Sequence, residues 1–247
     1  MLQKAEGIVI RTNDYGETNK IVTLFTREHG KLALMARGAK RPKSRFASSA
    51  QLFIYGTFIY HQSQGIGTLN QADVSDSFRH IRSDLMLTAY GAYMVEMIDK
   101  LTEDRHRNPF LFEMLYQILQ RINEGEDSEV LVRVYETKML QVAGITPFLD
   151  ACVNCGRKEG RFAFSLKEAG SLCDRCFEID PYRLNVSLGT LKLLRLFHYL
   201  DVHRIGNIQV KESTKQELKH VLSLYYDEYS GLRLKSKRFL DQMEKFK

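Results

Sequence analysis

The first third of the chain consists of short apolar runs separated by turn residues, a pattern typical of β-strands. The runs are β-branched or alternate apolar with polar positions, and Gly, Asn and Asp stand between them. The predicted strands span residues 7–12, 21–26, 31–36, 51–60 and 68–74. Gly56, inside the longest run, predicts a bulge or bend. These strands have no helices between them, so they predict a small closed barrel, which leaves no exposed edges.

Near residue 80 the apolar positions change to helical spacing. Residues 84–101 are apolar almost all round, as in a helix buried within a bundle, and Ser83 is the predicted N-cap. Asn108, followed by proline, predicts the next helix start, and a capping box of Thr214 and Glu217 predicts a later one. The other predicted helices span residues 109–122, 128–143, 188–200, 214–229 and 234–246. The pattern therefore predicts an α+β protein with an N-terminal barrel and C-terminal helices.

All four cysteines fall in one short stretch as two Cys-x2-Cys pairs, seventeen residues apart. Two such pairs let four thiolates surround one ion as a tetrahedron. The predicted ligands of a single Zn²⁺ are Cys152, Cys155, Cys173 and Cys176. Between the pairs, residues 161–165 and 171–172 predict a short hairpin, as in a zinc ribbon.

Four thiolates fill the coordination sphere and leave no position for a reactive water, so the predicted ion is structural rather than catalytic. It would hold together a segment that has too few apolar residues to fold alone. A redox Cys-x2-Cys normally occurs singly, and disulfides are disfavoured in a chain without an export signal.

Positive charge is concentrated in the first third of the chain. The net charge is +6, and residues 1–80 contain 11 Lys or Arg against 6 Asp or Glu. Residues 37–45 carry five cations and no acid, and Gly38 and Pro42 predict that they form a loop. A solvated charge run is the simpler interpretation, but its position beside a barrel strand favours nucleic acid. The predicted binding residues are Lys31, Arg37, Lys40, Arg41, Lys43 and Arg45.

The charge run also predicts how binding depends on salt. Neutralising about five phosphates of a single strand gives a slope of log K against log salt of roughly −3.5, so doubling the salt weakens binding about tenfold. Barrel proteins that bind single strands also stack bases on aromatic rings. The candidate rings are Tyr15, Phe46, Phe53, Tyr55 and Tyr60. Tyr15 and Phe46 lie in predicted turn regions, which favours these two.

Signatures of catalysis are missing from the sequence. It contains no Gly-x4-Gly-Lys-Ser/Thr loop, no Gly-x-Ser-x-Gly elbow and no His-Glu-x2-His, and its seven histidines are scattered. No apolar run approaches the roughly 18 residues of a membrane helix, and the first residues lack a signal-peptide core. We therefore expect a cytoplasmic binding protein that is not an enzyme and has no membrane partner.

Together these features resemble the RecO family of bacterial DNA-repair and recombination mediators. The resemblance runs over the whole chain. It rests on residues 7–11 (GIVIR), 14–17 (DYGE), 24–31 (LFTREHGK), 38–44 (GAKRPKS), 144–147 (GITP) and both cysteine pairs. The resemblance implies that the barrel is an OB-fold and that a four-cysteine zinc ribbon is inserted into a helical domain.

The resemblance also implies domain limits, ligands and partners. The expected domains are residues 1–80 (OB-fold), 81–150 (first helical part), 151–179 (zinc ribbon) and 180–247 (second helical part). The implied ligands are single- and double-stranded DNA, whose complementary strands the family anneals. The implied partners are RecR, the C-terminal tail of SSB and, indirectly, RecA, and the implied location is the nucleoid.

Two other classes of function stay open on the sequence alone. One is an OB-fold RNA-binding protein that acts on the ribosome or tRNA. The other is a zinc-dependent hydrolase, which needs a ligand other than cysteine and a bound water. If residues 37–45 are not the nucleic-acid site, the basic tail at residues 233–247 is the next candidate.

Overall fold

The computed structural model describes residues 1–62, 65–206 and 208–244, except for the side chain of Glu244. Contacts divide the chain into two compact units, which we call unit 1 (Met1–Glu126 and Leu234–Lys247) and unit 2 (Asp127–Arg233). The four domains expected from the sequence are divided by type of fold, whereas these two units are divided by contacts, so the expected domain limits stay a prediction. Phe246, the predicted end of the last helix, lies outside the described residues.

Five strands come first in the chain and helices follow, with a two-stranded hairpin between the fourth and fifth helices. The strands are β1 (Leu2–Tyr15), β2 (Asn19–Thr26), β3 (Gly30–Ala36), β4 (Tyr55–His61), β5 (Gly67–Asp76), β6 (Phe162–Ser165) and β7 (Gly170–Cys173). The helices are α1 (Arg79–Ser83), α2 (Leu85–Leu101), α3 (Pro109–Asn123), α4 (Ser128–Val142), α5 (Leu188–Tyr199), α6 (Glu212–Tyr229) and α7 (Lys235–Glu244). No helix in the described ranges is long and apolar enough to cross a membrane.

Strands β1 to β5 form a closed barrel in the order β1-β2-β3-β5-β4, which confirms the predicted N-terminal barrel. The long strand β1 closes one side, because its residues 2–8 pair with β4 and its residues 7–15 pair with β2. Its register against β2 shifts between Val9 and Arg11, as at a β-bulge. On the other side, β3 and β5 run parallel, with Leu34 opposite Gly67. The barrel interior is apolar and forms one core cluster.

The predicted irregularity at Gly56 is confirmed. The register of β4 against β5 shifts between Tyr55 and Gly56. A Cβ atom at Gly56 would lie 2.2 Å from the carbonyl oxygen of Asp73, so only glycine fits there. The strand starts later than predicted, because residues 51–53 form a bend and turn in which Phe53 has a φ of 68°.

The predicted N-cap of α2, in unit 1, is wrong. Asp84, not Ser83, caps α2, and its carboxylate accepts a hydrogen bond from the Leu87 N–H. The Ser83 hydroxyl instead donates to the His80 carbonyl at 3.0 Å and ends the short helix α1, which the sequence pattern did not predict. Asn108 caps α3 as predicted.

Helix α7 belongs to unit 1 although it follows unit 2 in the chain. Its Leu240 is buried, and the Glu96 carboxylate of α2 accepts the backbone N–H groups of Lys235 and Ser236 at 3.1 and 2.8 Å. Burial raises the pKa of Glu96, but the hydrogen bonds from Ser236 and Lys235 outweigh it and lower the pKa. The ionised Glu96 therefore holds the start of α7 on α2.

Unit 2 consists of α4 to α6 together with the β6–β7 hairpin. The predicted capping box of Thr214 and Glu217 is wrong, because α6 begins at Glu212 and its N-cap, Lys211, makes no side-chain cap. The Glu217 carboxylate instead accepts the N–H of Ser187 at 2.8 Å, and Ser187 caps α5 as predicted. Glu217 thus contacts the start of α5 rather than the start of its own helix.

Candidate nucleic-acid interface and candidate metal centre

The basic segment lies folded on the barrel and is not an extended loop. We call residues 37–50 the basic platform. Three of its side chains, Ala39, Phe46 and Ala50, are buried in the barrel core cluster. Successive turns close its backbone, with N–H to carbonyl distances of 3.0 Å from Arg41 to Gly38 and 3.1 Å from Ser44 to Arg41. The platform therefore holds its charged side chains on a fixed backbone.

The turn between β1 and β2 holds the start of the platform. The Asn19 side-chain oxygen accepts the Gly38 N–H at 2.8 Å. The Thr18 carbonyl accepts the Lys40 N–H at 2.9 Å. Gly38 has a φ of 70°, a conformation that glycine adopts without strain. Sequence reasoning missed Asn19, because no local pattern links it to a segment nineteen positions away.

Five predicted phosphate ligands are exposed on the platform. They are Arg37, Lys40, Arg41, Lys43 and Arg45. The Lys40 ammonium contacts the Asp14 carboxylate at 2.7 Å, and this hydrogen bond lowers the pKa of Asp14. No carboxylate in the described part of the chain forms an ion pair with the other four. Four cations without an ion pair among the described residues therefore lie on one short segment, and one of them, Arg45, has its guanidinium 4.7 Å above the Phe46 ring.

Lys31, the sixth predicted phosphate ligand, has a different role. It is only 8% exposed, and its ammonium donates to the carbonyl oxygens of Asp99 at 2.8 Å and Thr102 at 2.9 Å. These carbonyls end α2, where a cation is favourable. The Asp99 carboxylate also lies 3.4 Å from this ammonium. Lys31 thus joins the barrel to α2, and we remove it from the candidate phosphate ligands.

Most of the predicted stacking rings are used inside the molecule. Phe46, Phe53 and Tyr60 are buried, which corrects the choice of Phe46. Tyr55 packs on Tyr116, with ring centroids 4.5 Å apart. Tyr15, at the end of β1, is 53% exposed and is the remaining candidate.

The four cysteines converge in unit 2. Their sulfur atoms all lie within 4.8 Å of one another, so they are close enough to hold one metal ion. Sulfurs bound to one tetrahedral ion at about 2.3 Å lie roughly 3.8 Å apart. Cys155 and Cys173, one from each pair, have sulfurs 3.5 Å apart, and none of the four forms a disulfide. The arrangement fits a site of four sulfur ligands.

The surroundings of the thiols also suit a metal. Burial disfavours the Cys152 thiolate, but backbone N–H groups, among them that of Cys173, outweigh it and lower the pKa of Cys152 to about 6. Burial and the neighbouring thiols raise the pKa of Cys173 to about 12. Among the described residues, the cluster of buried side chains at this site consists of three cysteines and Leu172, with a few half-buried apolar side chains packed against it. Such a small core needs a cross-link.

The predicted ribbon hairpin is confirmed, and it is tied into unit 2. Strands β6 and β7 pair with Phe162 opposite Cys173. Beyond the prediction, Phe164 exchanges backbone hydrogen bonds with Leu184 at 3.0 and 2.7 Å. Gly170 is needed for close approach, since a Cβ there would lie 2.4 Å from the carbonyl oxygen of Phe148.

Comparison with known protein families gives two matches that together span nearly the whole chain. The model described as Recombination protein O N terminal matches residues 1–78. The model described as Recombination protein O C terminal matches residues 82–238. The first match covers the barrel with its platform, and the second covers the cysteine cluster.

Similar proteins share more than half of the residues of this chain. DNA repair protein RecO of Bacillus pumilus (strain SAFR-032) is 56% identical over 247 residues, which covers 100% of this chain and 96% of that protein. The protein of the same name from Bacillus subtilis (strain 168) is 55% identical, covering 100% and 97%. That from Halalkalibacterium halodurans is 55% identical over 244 residues, covering 99% and 96%.

Proposed function

This chain belongs to the RecO family of DNA repair proteins, and on that premise we propose that it is a DNA-binding recombination mediator. It binds single- and double-stranded DNA, anneals complementary strands and, together with RecR, helps load RecA onto SSB-coated DNA. It acts at the nucleoid, in the cytoplasm. Family membership supports the partners, and we assign no residues to the contacts with RecR or with the SSB tail.

One observation carries the DNA-binding part of this proposal. The platform presents four exposed cations that no carboxylate of the described residues neutralises, on a backbone anchored in the barrel core. Because the backbone of the platform is held in place, little loop entropy is lost when a phosphate backbone binds. Contacts between cations and phosphates carry no sequence information, so we expect little sequence preference.

Annealing follows from the same charges and needs no covalent step. Two complementary strands repel each other through their phosphates, and cations that neutralise part of that charge lower the barrier to pairing. The protein then acts by holding a strand rather than by changing it. This is why we propose a mediator without enzymatic activity.

We propose that the four-cysteine site holds one Zn²⁺ with a structural role. Four thiolates are the usual ligands of structural zinc, and they leave no open position for water. In this chain Cys152, Cys173 and Cys176 are buried, and together with Leu172 they form the cluster of buried side chains at the site. X-ray absorption that shows four sulfur ligands would exclude the hydrolase alternative.

The direct test of the proposal is a binding isotherm at several salt concentrations. Four neutralised phosphates give a slope of log K against log salt of roughly −2.8 for a single strand, so doubling the salt weakens binding about sevenfold. The full chain is titrated with labelled oligothymidylate, and unlabelled RNA of equal length competes at fixed salt. Binding that does not depend on salt, or a strong preference for RNA, would contradict the proposal.

We expect that Asp14→Asn strengthens DNA binding. The Asp14 carboxylate occupies the Lys40 ammonium at 2.7 Å, so its removal frees a fifth cation for a phosphate. One more neutralised phosphate steepens the salt slope by roughly 0.7 and raises affinity about fivefold at 0.1 M salt. Glu17→Gln is the matched control, because it removes the same charge from the same turn without releasing a cation. Equal gains in both variants would show that Lys40 is not specifically blocked.

A further inference from the structure

The aromatic candidates of unit 1 reduce to a single accessible ring beside the platform. Tyr15 is 53% exposed, and no ring among the described residues stacks on it. Phe46, which belongs to the platform itself, faces the barrel core. Tyr15 is therefore the candidate ring that keeps a free face.

The strand register shows that Tyr15 lies next to the platform. In the β1–β2 hairpin, Tyr15 stands directly opposite Asn19. Side chains of directly opposed residues lie on the same face of an antiparallel pair, with Cβ atoms about 4.5–5.5 Å apart. The Asn19 side chain in turn accepts the Gly38 N–H at 2.8 Å, at the start of the platform. The Asn19 side chain therefore lies beside Tyr15 and also contacts the platform.

The other side of the hairpin holds the platform as well. Asp14 precedes Tyr15 and contacts Lys40 at 2.7 Å, and the Thr18 carbonyl accepts the Lys40 N–H. The end of the hairpin thus contacts two platform residues, Gly38 and Lys40. This fixes the backbone at Tyr15 relative to the backbone of the platform, and a stacking residue requires such a fixed support.

From this placement we propose that Tyr15 makes the DNA site selective for single strands over duplex. The inference rests on the proposed function, because it assigns a specificity residue to the same site. A single strand can turn an unpaired base onto the Tyr15 ring while its phosphates lie on the platform cations. In a duplex both faces of each base are already stacked, so the ring gains nothing and only the phosphate contacts remain. The platform cations then attract the phosphates of single-stranded and duplex DNA alike, and stacking on Tyr15 gives the single strand its higher affinity.

The first test compares variants on two DNA forms. We expect Tyr15→Ala to weaken binding of oligothymidylate about tenfold, in the range found for stacked bases, while binding of a blunt duplex changes less than about twofold. The salt slope stays unchanged, because no cation is lost. Tyr15→Phe keeps the ring and restores binding. Tyr182→Ala, at a tyrosine of unit 2 that is 91% exposed, is the matched control and has no effect.

The second test uses the absence of tryptophan from the chain. Tyr15→Trp gives a protein with one indole, whose fluorescence is quenched when a base stacks on it. We expect quenching by oligothymidylate but not by duplex, and no quenching in Tyr182→Trp. Equal losses on both DNA forms in Tyr15→Ala, or no loss on either, overturn the proposal even if the protein binds DNA in a salt-dependent way. Loss of salt dependence in the unmodified protein would instead contradict the proposed function.

Discussion

Replacing four platform cations with glutamine is expected to weaken single-stranded DNA binding by several hundredfold at 0.1 M salt. The positions are Arg37, Arg41, Lys43 and Arg45. Each neutralised phosphate contributes roughly 0.7 to the salt slope, so four lost contacts remove roughly 2.8 log units at this salt concentration. The slope itself should approach zero. The measurement is fluorescence anisotropy with labelled oligothymidylate from low to high salt.

The folded state should survive this change, because all four side chains are exposed and the buried anchors of the platform are untouched. Unchanged circular dichroism and melting temperature check this. A matched control replaces four exposed cations of unit 2, which gives the same change in charge at a distance from the platform in the sequence. These are Lys158, Arg161, Arg175 and Lys192. If the platform variant binds normally, the site lies elsewhere, and the basic tail is tested next.

Loss of a metal ligand is expected to have the largest effect on stability. Cys173→Ser removes a buried sulfur from the cluster and leaves three thiols. Structural zinc contributes about 10–16 kcal/mol in small zinc-binding peptides, comparable with the whole stability of a domain. We expect the bound metal to fall from one ion per chain to none, and the melting transition of unit 2 to drop by more than about 10 °C. Metal analysis and calorimetry measure the two quantities.

Cys173→Ser also tests whether the zinc ribbon has only a structural role or contacts DNA as well. Its affinity for DNA, measured at low temperature, should change less than about threefold, because the platform lies in unit 1. Cys155→Ser, at the exposed cysteine of the cluster, provides a second ligand variant in case the first one aggregates. A variant that melts normally yet fails to bind DNA would place the ribbon in the DNA site.

Features that depend on neighbours in sequence were predictable. The spacing of the cysteine pairs is local, and the structure brings all four sulfurs together. Apolar runs of strand length predicted the barrel, and the structure confirms that the five strands form a closed barrel. The cluster of cations in residues 37–45 is likewise visible without a structure.

Features that depend on distant partners were not predictable. Lys31 belongs to the same acid-free stretch as the platform, yet its charge is used by carbonyl groups of α2 about seventy positions away. Phe46 belongs to a polar, charged segment. Only the structure shows that this segment packs on the barrel and that the Phe46 ring is buried in the barrel core. No local pattern links Asp14 or Asn19 to the platform that they contact. For each of these residues, tertiary packing decides whether a side chain is available to a ligand.

Unit 1 is discontinuous in sequence, and this has a consequence for its synthesis. Helix α7 packs on α2, but it follows the whole of unit 2 in the chain. During translation, the surface of α2 that α7 will occupy stays open while the ribosome makes unit 2, and the Glu96 carboxylate has no helix start to bind. The nascent barrel must therefore persist for several seconds, at typical elongation rates of about 5–20 residues per second, before its last helix can dock.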